Sequence, residues 1–105
     1  MTTDGIRGSS DRAILVLTSL AEGPKHGYAS IKDIEAFAGV TMGAGTLYGV
    51  IAKLEEAGLI QPLPPEERRH PYQITPKGTA LLRQRLSQSE RVAKVGLARL
   101  AGMAP

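Results

Sequence analysis

Thr41-Met42-Gly43-Ala44-Gly45-Thr46-Leu47-Tyr48-Gly49-Val50-Ile51-Ala52-Lys53-Leu54-Glu55-Glu56-Ala57-Gly58 reads as one helix with two unlike faces. Leu47, Val50, Ile51 and Leu54 recur at the i, i+3, i+4, i+7 spacing of a buried face. About half a turn away stand Gly45, Gly49 and Ala52, flanked by Thr46, Tyr48 and Lys53. A helix that only covered a core would carry Lys, Glu, Arg or Gln there, because these favour helix and water together. Each outer glycine costs about 1 kcal/mol relative to alanine. A helix that tolerates this cost has a use for close approach to its backbone. The alternative is a surface helix of poor propensity.

Working outward, the preceding segment from about His26 to Ala38 is a second helix, with Gly27, Ile31, Ile34 and Ala38 on one face, Tyr28 and Phe37 beside it, and Lys32, Asp33 and Glu35 on the wet side. Gly39 stops it, and Thr41 or Gly43 can cap the next helix. So short a glycine-containing turn between two helices is a helix-turn-helix in the geometric sense. On the far side, Leu59 to Leu63 reads as a short strand that Pro62 confines to a sheet edge. Residues 64–71 read as a polar loop without a helical or strand period, and Tyr72-Gln73-Ile74-Thr75 as the returning strand.

Upstream, Met1 to Gly8 is polar and reads as a mobile arm, with Ser9 or Ser10 capping a first helix that runs to about Glu22. Ile14, Leu17, Leu20 and Ala21 form its stripe, broadened by Leu15 and Val16, and Gly23-Pro24 ends it. Downstream, Thr75-Pro76 is a helix start, a threonine cap followed by proline at the first helical position. The expected fold is mainly α with a two-stranded β-wing: a winged helix-turn-helix over residues 11–75, an arm over 1–10, and a long C-terminal helix over 76–105. On the last helix, Leu82, Leu86, Ser89, Ala93, Gly96, Leu97, Leu100 and Met103 make one stripe, small in its middle. So small a body has too little chain to cover it. The stripe reads as a homodimer seam, and the alternative is that the helix folds back over the first one.

Composition narrows the function classes. The chain has 105 residues, a formal charge of +3 and no cysteine, which removes disulfides, thiolate metal sites and cysteine nucleophiles. No apolar run has the length of a membrane span, and the N-terminus lacks an apolar signal region, so a soluble cytoplasmic protein is expected. Residues 1–75 hold seven Lys or Arg against nine acids, a net of −2, whereas residues 76–105 hold six against Glu90 alone, a net of +5. The positive surplus therefore sits on the last helix and not around the opening one. His26 and His70 stand in separate contexts without a carboxylate pair or a nucleophile beside a base, so neither an enzyme, a metal site nor a cofactor is expected.

Four groups of residues resemble the PadR-like transcriptional regulators: His26-Gly27-Tyr28, Gly45-Thr46-Leu47-Tyr48, Leu54-Glu55-Glu56-Ala57-Gly58-Leu59-Ile60, and Tyr72-Gln73-Ile74-Thr75-Pro76-Lys77-Gly78. The third run is shared by many winged helices; the first two at this separation are far more specific. The likeness covers about residues 11–82, and the single C-terminal helix resembles the smaller subfamily. The chain departs from the family pattern at Gly49, where proline is frequent, at Gly43-Ala44, where serine and proline are frequent, and at His70-Pro71-Tyr72, which keeps one aromatic of a pair. These departures bear on contacts to DNA more than on fold.

The resemblance implies a homodimeric repressor of double-stranded DNA at a palindromic operator, relieved by a small-molecule effector. In a winged helix the third helix enters the major groove and the wing reaches the neighbouring backbone or minor groove. The expected DNA-binding residues are Gly45, Thr46, Tyr48, Gly49 and Lys53 on that helix, Arg68 and Arg69 on the wing, and Tyr28, which resembles the family's backbone-contacting tyrosine. The expected dimer interface is Leu82, Leu86, Ala93, Gly96, Leu97 and Leu100. With Lys53 the lone long cation on the helix, base readout is expected to be sparse. The arginines otherwise belong to a solvated loop, and Tyr28 and Tyr48 to the core edge. A rival from another class is a winged helix used for protein–protein contact, which the −2 charge of residues 1–75 favours.

Overall fold

The computed structural model describes residues 3–103, with side chains from Asp11 onward. Four helices and one hairpin follow in the order α1 (Thr3–Ala21), α2 (Gly27–Ala38), α3 (Ala44–Glu56), β1 (Ile60–Pro62), β2 (Tyr72–Ile74) and α4 (Pro76–Ala101). The fold is therefore mainly helical with a two-stranded wing, as the sequence pattern predicts. The expected arm over residues 1–10 lies partly outside the described residues. From Thr3 the backbone is already helical, so the helix starts upstream of Ser9 and Ser10. Extending an existing helix fixes fewer dihedrals per bond than starting one, which lets α1 run back through a polar segment.

One core joins the elements. Val16, Leu17 and Leu20 of α1, Ile34 of α2, Met42 of the turn, Leu47, Ile51 and Leu54 of α3, Ile60 of β1 and Leu82 of α4 are all buried together. Ala21, expected in the α1 stripe, is exposed instead, and Ser19 takes the buried place, its hydroxyl donating to the Asp33 carboxylate at 2.7 Å. Asp33 is thus not on the wet side. Lys25 reaches it at 3.7 Å and Glu22 at 3.2 Å, and its ammonium donates to the Ser19 carbonyl. A buried hydroxyl needs such a partner, since leaving it unmade costs about 1–3 kcal/mol.

The ends of α3 and α4 show why the third and fourth motifs have their spacing. Gly58, at φ +76°, follows the α3 cap, its N–H bonding Glu55 O at 3.0 Å while Leu59 N–H bonds Leu54 O at 2.9 Å. That bond pair is a Schellman turn, which wants a residue without a Cβ at the left-handed position. Thr75 caps α4 by accepting from Gly78 N–H at 3.1 Å and donates its own hydroxyl to Gly58 O at 2.7 Å. Lys77 donates to Ala57 O at 2.9 Å, a cation on the negative end of α3. At Gly78 a Cβ would land on the Leu59 carbonyl oxygen and 2.9 Å from Ile74 Cγ1, so α4 presses on the hairpin root only because this residue is glycine.

The wing is antiparallel, pairing Ile60 with Ile74 and Pro62 with Tyr72. Tyr72 also exchanges backbone hydrogen bonds with Lys25, at 2.9 and 3.1 Å, which ties the hairpin to the start of α2. Residues 64–71 are not irregular throughout. Glu66 and Arg69 exchange both backbone bonds, at 3.0 and 2.9 Å, closing the hairpin with Glu67-Arg68 as a two-residue turn. Such turns use positive φ, and Glu67 adopts φ +57° without being glycine. Beyond the body, α4 continues for 26 residues in all, and the molecule measures 58 × 27 × 27 Å.

Candidate nucleic-acid interface

The α3 helix divides as its sequence implies. Leu47, Ile51 and Leu54 are buried, while Ala44, Gly45, Thr46, Tyr48, Gly49, Ala52 and Lys53 are exposed. A Cβ placed on Gly43, Gly45 or Gly49 would meet nothing within 4 Å. No part of the described chain therefore requires glycine at these positions.

Gly27 is the opposite case. It is buried, and a Cβ there would lie 2.5 Å from the Tyr48 hydroxyl and 2.8 Å from Cζ of the same ring. The Tyr48 phenol thus rests on the first residue of α2. His26 precedes it as the N-cap, its Nδ1 accepting from Ala29 N–H at 3.4 Å. Tyr28 follows, 64% exposed, with the Lys32 ammonium 5.6 Å from its ring centre. In His26-Gly27-Tyr28 one residue caps, one receives a neighbouring ring, and one points outward. Tyr48 is 51% exposed, so neither tyrosine is a core residue.

Every residue expected on the DNA side (Tyr28, Gly45, Thr46, Tyr48, Gly49, Lys53, Arg68 and Arg69) is exposed. Arg68 and Arg69 sit at the wing tip, held by the Glu66–Arg69 turn. Among the described residues, Lys53, Arg68 and Arg69 form no ion pair, whereas Lys25 is committed to Glu22 and Asp33. Tyr72 packs against the core, and burial, with Glu55 and then Tyr48 adding to it, raises its phenol above its ordinary 10.0. Sequence reasoning placed Lys32 merely in water. Its i, i+4 spacing from Tyr28 was the available sign that it attends that ring.

The stripe on α4 splits in two. Leu82 is 6% exposed and belongs to the chain's own core. Leu86, Val92, Val95, Leu97, Leu100 and Met103 are exposed, and nothing in the described chain folds back over them. At the foot of this helix a cleft of about 370 Å³ is lined by Ala21, Ile74, Thr79, Leu82, Arg83 and Leu86. No described helix is long and apolar enough to cross a membrane.

Comparison with known proteins gives one consistent answer. The model of the "Transcriptional regulator PadR-like family" matches residues 16–84. A transcriptional regulator from Clostridium thermocellum superposes with a TM-score of 0.74 at 34% identity, covering 90% of this chain and 93% of its own. A PadR-family transcriptional regulator from Eggerthella lenta does so with a TM-score of 0.72 at 30% identity, covering 88% and 82%. An uncharacterised 37.1 kDa protein in transposon TN4556 of Streptomyces fradiae is 40% identical over 85 residues, which are 81% of this chain but span only 25% of that relative. The family consists of transcriptional regulators and not enzymes. With a family match spanning most of the chain and the same winged-helix arrangement in its structural relatives, the chain belongs to the PadR-like family of transcriptional regulators.

Proposed function

We propose that this regulator is a cytoplasmic repressor that binds a palindromic operator in double-stranded DNA as a homodimer. The observation that carries the reading is the outer face of α3, whose open glycines, Gly45 and Gly49, serve no contact of the described chain. That face fits the major groove, with Thr46, Tyr48 and Lys53 at its margins. Arg68 and Arg69 reach the backbone or minor groove, and Tyr28 with Lys32 takes a flanking phosphate. Dimer symmetry sets two α3 helices about 34 Å apart on the duplex. The seam runs along Leu86, Ala93, Gly96, Leu97 and Leu100, where Leu97 is 67% and Leu100 64% exposed in the single chain. A small-molecule effector would take the cleft at the foot of α4, beside the first seam residue.

The test is binding to duplex DNA across a salt series. Lys32, Lys53, Arg68 and Arg69 in each of two protomers give a log–log slope of roughly −7. Replacing Lys53 and Arg68 with alanine flattens that slope and weakens binding, while sedimentation still shows a dimer. Absence of any complex even at low salt favours the protein–protein reading of the fold instead.

A further inference from the structure

The face that α3 offers to DNA lacks the usual means of reading bases by hydrogen bonds. Between Ala44 and Glu56 there is no Arg, Asn or Gln, and the two glutamates stand in the last turn. Lys53 supplies one cation, and Thr46 and Tyr48 supply one hydroxyl each. Apart from Tyr48 and Lys53 the face offers methyl-sized groups: the side chains of Thr46 and Ala52 are exposed methyl carriers beside Gly45 and Gly49. Each of these glycines leaves open space where a Cβ would stand. In the major groove one base alone projects a methyl group, thymine at C5, and its established apolar partners are alanine and the threonine methyl.

We infer that α3 reads its operator through thymine methyl groups, with Thr46 and Ala52 packing against them and the gaps at Gly45 and Gly49 receiving them. The proposal rests on the DNA-binding reading above and names what that surface recognises: the positions of thymines within each half-site. It accounts for two facts together. The helix keeps glycines that cost it stability, and it carries no Arg, Asn or Gln that would read base edges by paired hydrogen bonds.

The probe is a duplex selected by the protein from a random-sequence pool, then synthesised with deoxyuridine in place of thymidine. This exchange removes the methyl and keeps the pairing. Losing one methyl that is buried on binding weakens affinity about fourfold, so two or three per half-site give a loss well above tenfold. The same number of exchanges in the spacer between half-sites leaves affinity unchanged. Thr46→Ser, which removes a protein methyl and keeps the hydroxyl, lowers the penalty for deoxyuridine at one half-site position. Equal affinity for the thymidine and deoxyuridine duplexes overturns the proposal, and so does an equal loss from spacer and half-site exchanges, which signals readout of DNA shape. Failure to select any duplex removes the DNA reading itself and this inference with it.

Discussion

Gly78 and Gly49 are both helical glycines, yet they stand in opposite situations. At Gly78 an added Cβ would strike the Leu59 carbonyl oxygen and Ile74. At Gly49 it would meet nothing within 4 Å. The first glycine is required by the fold, because it lets α4 lie against the hairpin root. The second serves no part of the described chain and costs the helix stability. Gly27 falls between them: its neighbour is the Tyr48 ring, the far end of a side chain that can move. Graded in this way, the glycines separate the part of the molecule that holds itself together from a face that the described chain leaves bare.

Substitution to alanine sharpens the grading. Gly78→Ala has the largest expected effect. Backbone cannot yield as a side chain can, so overpacking here destabilises by about 3 kcal/mol. In a chain of this size thermal unfolding then shifts down by more than roughly 10 °C. Should the variant melt with the parent, α4 does not lie against Leu59 as described. Gly27→Ala is expected to cost about 1 kcal/mol, the ring of Tyr48 swinging aside. Its signature is a change in the Tyr48 environment, read from tyrosine fluorescence or ring NMR shifts, larger than the change in melting temperature.

The smallest effect concerns Tyr72, the first residue of β2. Its phenol is raised by burial, then by Glu55 and Tyr48, above 10.0. A group whose folded value lies above its unfolded one leaves stability intact below pH 10.0 and removes it as pH climbs through the folded value. Tyr72→Phe abolishes that alkaline loss and leaves stability near neutrality almost unchanged, as measured by denaturant unfolding at neutral and alkaline pH.

Much of this was legible from residue order alone. The helices announced themselves by a 3.6-residue period and by glycine and proline at their ends, and Thr75-Pro76 marked the start of α4. The gap in bulk on α3 was visible in the sequence, as was the absence of Arg, Asn and Gln. What the sequence hid were contacts between distant residues. Asp33 looked like a solvent-facing acid because its partner Ser19 lies on another helix. The purpose of Gly78 depends on a strand root that no spacing rule brings beside it. The tip turn at Glu66–Arg69 carried no glycine or asparagine to betray it, since Glu67 itself takes the positive φ. Leu82 and Leu86 belong to one unbroken stripe. Only the place where the body ends buries the first and leaves the second exposed.

The central claim is that the outer face of α3 is kept bare for DNA. Its most direct test is the duplex affinity of the Gly45→Ala, Gly49→Ala double variant, measured beside its melting temperature. Alanine suits a helix better than glycine, so the variant gains up to about 1 kcal/mol of stability per site. The account predicts a protein that melts higher and binds DNA at least tenfold more weakly. A variant that melts higher and binds as tightly as the parent would contradict it.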